Sequence, residues 1–207
     1  MPKAVVELLG TFFLVLVIGL TVVPPGAGAM APLAIGAILM VMVYAGGPIS
    51  GAHYNPAVTL AVWLRGKCDT EDVPAYVGAQ VLGAILAAAL VGLCKPESAV
   101  SPMTLDVVPA LLVEGCFTFA LAFVVLQVAT SKRSAGNSYF GLAIGFTVLA
   151  AAYAGGPISG GAFNPAVAVG LAWMGVSTWS SLWIFLVANL AGGALAALAF
   201  RLINPDA

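Results

Sequence analysis

Hydrophobic residues fill long stretches of this chain, and the charged residues lie in the short segments between them. Residues 8–64 form one stretch that is uncharged apart from His53, and residues 73–94, 115–131 and 134–200 form three more. A helix needs about 20 apolar residues to cross a bilayer, and charged groups inside the bilayer are unfavourable. The stretches therefore predict transmembrane helices. One covers residues 73–94, and the stretch 115–131 is long enough for another if the helix also contains Glu114.

The two longest stretches are each too long for two spans and too short for three. Each contains the sequence Gly-Gly-Pro-Ile-Ser-Gly, at 46–51 and at 155–160, and about ten apolar residues are left over after two spans. Ten residues reach only halfway across a membrane. We therefore predict an all-α membrane protein with six transmembrane helices and two re-entrant half-helices that begin at Asn55 and Asn164. The predicted spans are residues 4–23, 31–45, 73–94, 108–129, 137–154 and 179–200.

The chain contains an internal repeat. Residues 44–51 are identical to residues 153–160 at an offset of 109, and Asn-Pro-Ala-Val recurs at the same offset. Glu7 and Glu114 correspond at an offset of 107, so the first span is one copy of a repeated helix and not a cleaved signal peptide. The predicted repeats are residues 1–98 and 105–207, which together form one domain. Three spans per repeat is an odd number, so the second copy is inverted relative to the first.

The positions of the basic residues predict the orientation. With both termini in the cytoplasm, six of the seven basic side chains are cytoplasmic and only Lys95 is outside, as the positive-inside rule requires. The six are Lys3, Arg65, Lys67, Lys132, Arg133 and Arg201. We therefore expect a multi-pass protein of the cell membrane.

Composition excludes several function classes. The chain has 62% hydrophobic and 7% charged residues, a mean hydropathy of +1.10 and a net charge of −1, whereas soluble domains have about 25% charged residues. A soluble enzyme and a nucleic-acid-binding protein are thus ruled out. The sequence has no paired Asp, no Ser with a His base and no metal-ligand spacing, so we expect no catalytic residue, no metal and no cofactor, and membrane lipid as a partner.

The two Asn-Pro-Ala motifs are the candidate functional residues: Asn55, Pro56, Ala57, Asn164, Pro165 and Ala166. Asn is a strong N-cap and Pro is favoured at the first helical position, so each motif begins a half-helix. Half-helices that enter from opposite faces place two positive dipole ends at one point near the midplane. This field disfavours cations, whereas a neutral solute can accept hydrogen bonds from the Asn side chains.

Three ionisable residues in or beside the apolar stretches allow two interpretations. We expect Glu7 and Glu114 to accept backbone N–H groups of the re-entrant loops, which nothing else would satisfy. The alternative is an ion- or proton-coupled secondary transporter, in which such carboxylates relay protons. His53 is expected at the cytoplasmic mouth of the pore, as a structural loop residue or, alternatively, as a pH gate.

These motifs closely resemble those of the aquaporin and aquaglyceroporin family, the major intrinsic proteins, along essentially the whole chain. The clearest segment is Ser50-Gly-Ala-His-Tyr-Asn-Pro-Ala-Val-Thr59, and Ala79-Gln80 with Gly83 and the repeated Glu-xxx-Thr-Phe also match. The resemblance implies a homotetramer with one pore per subunit and no cofactor. It implies passive conduction of water and small uncharged solutes such as glycerol, urea, ammonia or undissociated metalloid acids.

The second signature departs from the family pattern. Family members usually have Arg directly after the second Asn-Pro-Ala, where this chain has Val167. The resemblance maps the other three corners of the selectivity filter to Ile35, Ala152 and Gly161. Losing Arg and gaining small residues predicts a wider, apolar ring that passes solutes larger than water and has a weaker proton barrier.

Two further positions depart from the family. Ala168 stands where glycerol-selective relatives have Asp, so the resemblance does not extend to glycerol selectivity. Asn189 stands where the family more often has Pro, and we expect its amide to pair with that of its repeat mate, Gln80.

Overall fold

The computed structural model describes residues 1–205, and within these residues it contains eight α-helices. They are α1 (Pro2–Val22), α2 (Ala31–Ser50), α3 (Pro56–Leu64), α4 (Asp72–Cys94), α5 (Val107–Val125), α6 (Phe140–Ser159), α7 (Pro165–Trp173) and α8 (Leu182–Ile203). Six of them are long and apolar enough to cross a membrane, and α3 and α7 have nine residues each. The prediction of six spans and two half-helices is confirmed.

The ends of α2 and α6 differ from the prediction. Both helices continue through Gly-Gly-Pro-Ile-Ser instead of ending before it, with Pro48 and Pro157 inside the last turns. The residues that end them are Gly51 and Gly160, at φ 87° and φ 85°. A glycine in this left-handed conformation is a common helix terminator, because it has no Cβ to clash. The helix breaker in this motif is therefore its last glycine and not its proline.

The two repeats interlock through their half-helices. α1 packs against α4, α5 packs against α8 in the same way, and α2 packs against α6 across the repeats. Each half-helix lies against the last span of the other repeat, α3 on α8 and α7 on α4. Both half-helices are therefore enclosed by long helices, as irregular backbone at membrane depth requires.

Glycines allow the closest helix contacts. A Cβ placed on Gly83 would lie 2.5 Å from the carbonyl oxygen of Leu8, and one on Gly192 would lie 2.5 Å from that of Gly115. These two glycines are repeat mates, and they hold α4 on α1 and α8 on α5. Small residues let helix backbones approach each other inside a membrane, where packing drives association.

Replacing Gly83 with Ala is expected to destabilise the protein by about 1–3 kcal/mol, the usual effect of overpacking. The added methyl group would meet backbone, which moves only if α1 and α4 separate. Gly78→Ala on the same helix is the matched control, because a Cβ there has no neighbour within 4 Å. Thermal unfolding in detergent measures both variants. Equal melting temperatures for the two variants would show that α1 and α4 leave room for a methyl group at Gly83.

Candidate functional site

The two Asn-Pro-Ala motifs have almost identical geometry. The side-chain Oδ1 of Asn55 accepts the backbone N–H groups two and three residues downstream, at 2.8 and 3.4 Å, and Asn164 does the same at 2.9 and 3.4 Å. Pro56 and Pro165 occupy the first helical positions, where a missing N–H leaves no bond unmade. Each Asn thus caps the N-terminus of a half-helix.

The same two side chains join the half-helices end to end. Asn55 Nδ2 donates to the carbonyl oxygen of Phe163 at 2.9 Å, and Asn164 Nδ2 donates to that of Tyr54 at 2.8 Å. An amide nitrogen carries two hydrogens, so each Asn keeps one N–H beyond this cross-link. Both side chains line one cavity, where these N–H groups can meet a solute.

Each re-entrant loop is held by a buried carboxylate. Glu7 accepts four hydrogen bonds, from Ser50 Oγ at 2.7 Å, the backbone N–H of His53 at 2.9 Å, that of Tyr54 at 2.6 Å and Gln80 Nε2 at 2.8 Å. Both carboxylate oxygens take part, and the side chain is fully buried. The carboxylate therefore satisfies buried loop N–H groups that have no partner within a helix.

Glu114 repeats this arrangement in the second half. It accepts from Ser159 Oγ at 2.7 Å and from the backbone N–H groups of Ala162 at 2.9 Å and Phe163 at 2.7 Å. Phe163 and its counterpart Tyr54 have positive φ values of 49° and 51°. This left-handed conformation is strained for residues other than glycine, and it persists because the surrounding bonds and packing fix it.

The expected pairing of Gln80 with Asn189 is wrong. Gln80 Nε2 donates to Glu7 and to Thr59 Oγ1, whereas Asn189 Oδ1 accepts from Thr118 Oγ1 at 3.0 Å. Within the described residues the two amides form no hydrogen bond to each other. The reason is the inverted symmetry, which places each amide beside the carboxylate of its own repeat and on its own α1–α4 or α5–α8 pair.

Two cavities extend from the centre toward opposite faces. The first, about 440 Å³, contains both Asn side chains and all four predicted filter positions: Ile35, Ala152, Gly161 and Val167. Within residues 1–205, no Asp, Glu, Lys or Arg lines this cavity. The second, about 650 Å³, opens on the face that carries Lys3, Lys67 and Lys132, which we call the basic face. We call the first the outer cavity and the second the inner cavity.

The carboxylates stand outside the path that these cavities define. Neither Glu7 nor Glu114 lines the outer or the inner cavity, and their oxygens are occupied by the loop bonds. His53, in contrast, lines both cavities. A proton relay needs carboxylates that solutes reach, so this arrangement favours the structural role over the relay.

Sequence reasoning missed two sets of residues. The cross-linking carbonyl acceptors belong to Tyr54 and Phe163, whose roles depend on backbone conformation and leave no side-chain signal. Val125 and Ile144 line both cavities with His53. The repeat offers a signal for one of them, since Ile144 is the mate of Ile35.

Two re-entrant half-helices that meet inside a six-span bundle, with a cavity on either side, define a multi-pass membrane channel. The family model for the major intrinsic proteins matches residues 1–200, and the chain belongs to this family. Members of this family are channels and not enzymes, and they carry water and small solutes passively.

Similar proteins agree with this assignment. Aquaporin NIP1-1 of Oryza sativa subsp. japonica is 39% identical over 214 residues, covering 98% of this chain and 74% of the relative. Aquaporin NIP1-2 of Arabidopsis thaliana is 37% identical over 221 residues, covering 99% and 74%. The X-ray structure of the aquaglyceroporin from Plasmodium falciparum has the same fold, with a TM-score of 0.81, 20% sequence identity and coverage of 99% and 97%.

Proposed function

We propose that this protein conducts water and small uncharged solutes, such as glycerol, urea, ammonia or undissociated metalloid acids, past the Asn55–Asn164 junction. The observation that carries the proposal is the outer cavity, which contains both Asn side chains and no charged group within the described residues. A neutral solute finds amide donors at the junction and, among the described residues, no charged side chain along this cavity. Such a site favours passage over tight binding.

Ion exclusion in this proposal comes from the two half-helices. α3 and α7 begin at the junction, and each N-terminus carries roughly half a positive charge from its dipole. Both positive ends therefore repel a cation at one point. The filter position that usually carries Arg is Val167, so the helix ends provide this barrier without a fixed cation.

The proposed filter is the ring of Ile35, Ala152, Gly161 and Val167. Apolar and small side chains give this ring neither a charge nor a side-chain hydrogen-bond donor. Gly161 has a positive φ of 68°, which lets the loop backbone turn beside the ring. We propose that the ring admits solutes wider than water and that backbone carbonyls of residues 155–163 offset part of their desolvation.

We propose that the basic face is cytoplasmic and that the protein is a homotetramer in the cell membrane. Lys3, Lys67 and Lys132 line the inner cavity, and Arg201 donates to the Leu64 carbonyl at the end of α3. Lys95 lies on the opposite face, where its Nζ donates to the carbonyl of Leu20 at the end of α1. This distribution agrees with the positive-inside rule.

Uptake of glycerol and urea into proteoliposomes tests the channel against the coupled transporter. A channel predicts uptake that rises linearly with solute concentration and does not change when a proton gradient is imposed or reversed. Protein-free vesicles give the background. Saturable uptake, or uptake driven by the proton gradient, would support the transporter instead.

A further inference from the structure

The outer and inner cavities meet at three side chains. His53, Val125 and Ile144 line both cavities, and they are 7%, 6% and 4% exposed. We call these three residues the inner neck. They lie between the Asn junction and the basic face, so a solute that has passed the outer ring and the junction still has to pass the inner neck.

The repeat shows where the two halves of the pore differ in side-chain bulk. The mates of the inner-neck residues are Ala162 for His53, Ile35 for Ile144 and Ile18 for Val125, and all three mates line the outer cavity. The aliphatic pairs are similar in size. His53 has an imidazole where Ala162 has a methyl group, so the inner half carries more side-chain bulk at this position.

The His53 side chain is held in one position. Its Nδ1 lies 3.1 Å from Thr59 Oγ1, and its ring meets the ring of Tyr76 edge-on at 5.1 Å. The backbone N–H of His53 is bound to Glu7. A side chain fixed at its backbone, one ring nitrogen and one ring edge presents a constant width to the pore.

The hydrogen bonds also assign the tautomer. The Thr59 hydroxyl donates to the carbonyl oxygen of Asn55 at 3.0 Å and accepts from Gln80 Nε2 at 3.0 Å. A hydroxyl has one hydrogen, so His53 Nδ1 must donate to it. In the neutral ring Nε2 is then a hydrogen-bond acceptor, and among the described residues it has no partner.

We propose that the inner neck, and not the outer ring, sets the largest solute that this channel passes. In this arrangement His53 Nε2 accepts a hydrogen bond from an O–H or N–H group of the solute as it leaves the junction. The solutes selected are small hydrogen-bond donors, which include water, polyols, amides and undissociated hydroxy acids. This inference rests on the proposed function, because it assumes that solutes cross the junction.

Matched substitutions of repeat mates test the inference. Val125→Ala widens the inner neck, and Ile18→Ala removes bulk from the outer cavity at the equivalent position. Each variant is reconstituted into proteoliposomes at pH 7.5. Permeability to water, glycerol and the four-carbon polyol erythritol is then measured by stopped-flow light scattering. We expect Val125→Ala, which removes two methyl groups, to raise the erythritol-to-water ratio at least about tenfold, the lower range for a single methylene in a pocket. Ile18→Ala should leave the ratio unchanged.

Two variants of His53 test its own contribution. His53→Ala is expected to raise the erythritol-to-water ratio at least as much as Val125→Ala does. His53→Phe keeps a ring and removes the acceptor, so it should lower permeability to every solute without raising the ratio. Because either variant can disturb the loop, folding is checked by thermal unfolding. If both His53 variants misfold, Val125→Ala alone tests whether the inner neck limits solute size.

The outcomes separate the two proposals. A native protein that conducts no solute above protein-free vesicles would overturn the proposed function. A native protein that conducts, with an erythritol-to-water ratio that rises for Ile18→Ala or for neither alanine variant, would overturn the inner neck alone. A rise for Val125→Ala only is the result that supports it.

Discussion

Glycerol and urea permeability should fall at least about tenfold in Val167→Arg, whereas water permeability should fall much less. The introduced side chain would enter the outer cavity at the proposed ring, where it narrows the opening and adds a fixed charge with five donors. When a pocket loses room for a single methylene group, discrimination against the larger solute reaches about tenfold or more. Stopped-flow light scattering of proteoliposomes measures all three permeabilities in the same preparation.

Val167→Met separates bulk from charge in this experiment. Methionine is long and unbranched like the Arg stem but has no charge, so it should reduce glycerol flux less and leave proton flux as in the native protein. Val167→Arg should lower proton flux under a pH gradient, because the added cation strengthens the barrier of the helix ends. Unchanged solute and proton fluxes in Val167→Arg would mean that residue 167 does not face the path.

Loss of a loop carboxylate is expected to have the largest effect on folding. Glu114→Ala leaves the N–H groups of Ala162 and Phe163 without an acceptor, and each unsatisfied buried group costs about 1–3 kcal/mol. The hydroxyl of Ser159 keeps its longer bond to the Gly155 carbonyl, at 3.4 Å. We expect little folded protein and no channel activity. Glu7→Ala should be at least as harmful, because Glu7 accepts four hydrogen bonds. Size-exclusion profiles and thermal unfolding in detergent measure both.

Glu97→Ala is the control for this experiment, because Glu97 is exposed in the connection between α4 and α5. Glu114→Gln keeps a carbonyl oxygen and should recover part of the stability. If Glu114→Ala unfolds at the temperature of Glu97→Ala, the loop does not depend on the carboxylate.

The number and type of the helices could be predicted from the sequence, because a bilayer makes charge-free length a direct signal. The half-helices followed from the leftover length and from the capping chemistry of Asn-Pro. The ends of α2 and α6 could not be predicted as well, since Pro48 and Pro157 are tolerated in the last turns and the actual stops are Gly51 and Gly160.

Some site residues could also be predicted from the sequence, and others could not. Repetition pointed to the Asn pair and to the two carboxylates, because a pattern that recurs at matched offsets is visible without a structure. The bonding of Gln80 and Asn189 was not visible, since it depends on which helices the inverted axis brings together. The inner neck was hidden for the same reason, as Val125 and Ile144 come from α5 and α6 and meet His53 only in the folded chain.

In the proposed channel an apolar ring leaves the outer half of the pore open to solutes larger than water. The openness of this ring is tested by the glycerol-to-water permeability ratio of the native protein. Both permeabilities are measured in one set of proteoliposomes, with protein-free vesicles as the background. We expect both permeabilities to rise clearly above the protein-free background. Water flux alone, with glycerol at background, would show that backbone geometry closes the ring of Ile35, Ala152, Gly161 and Val167.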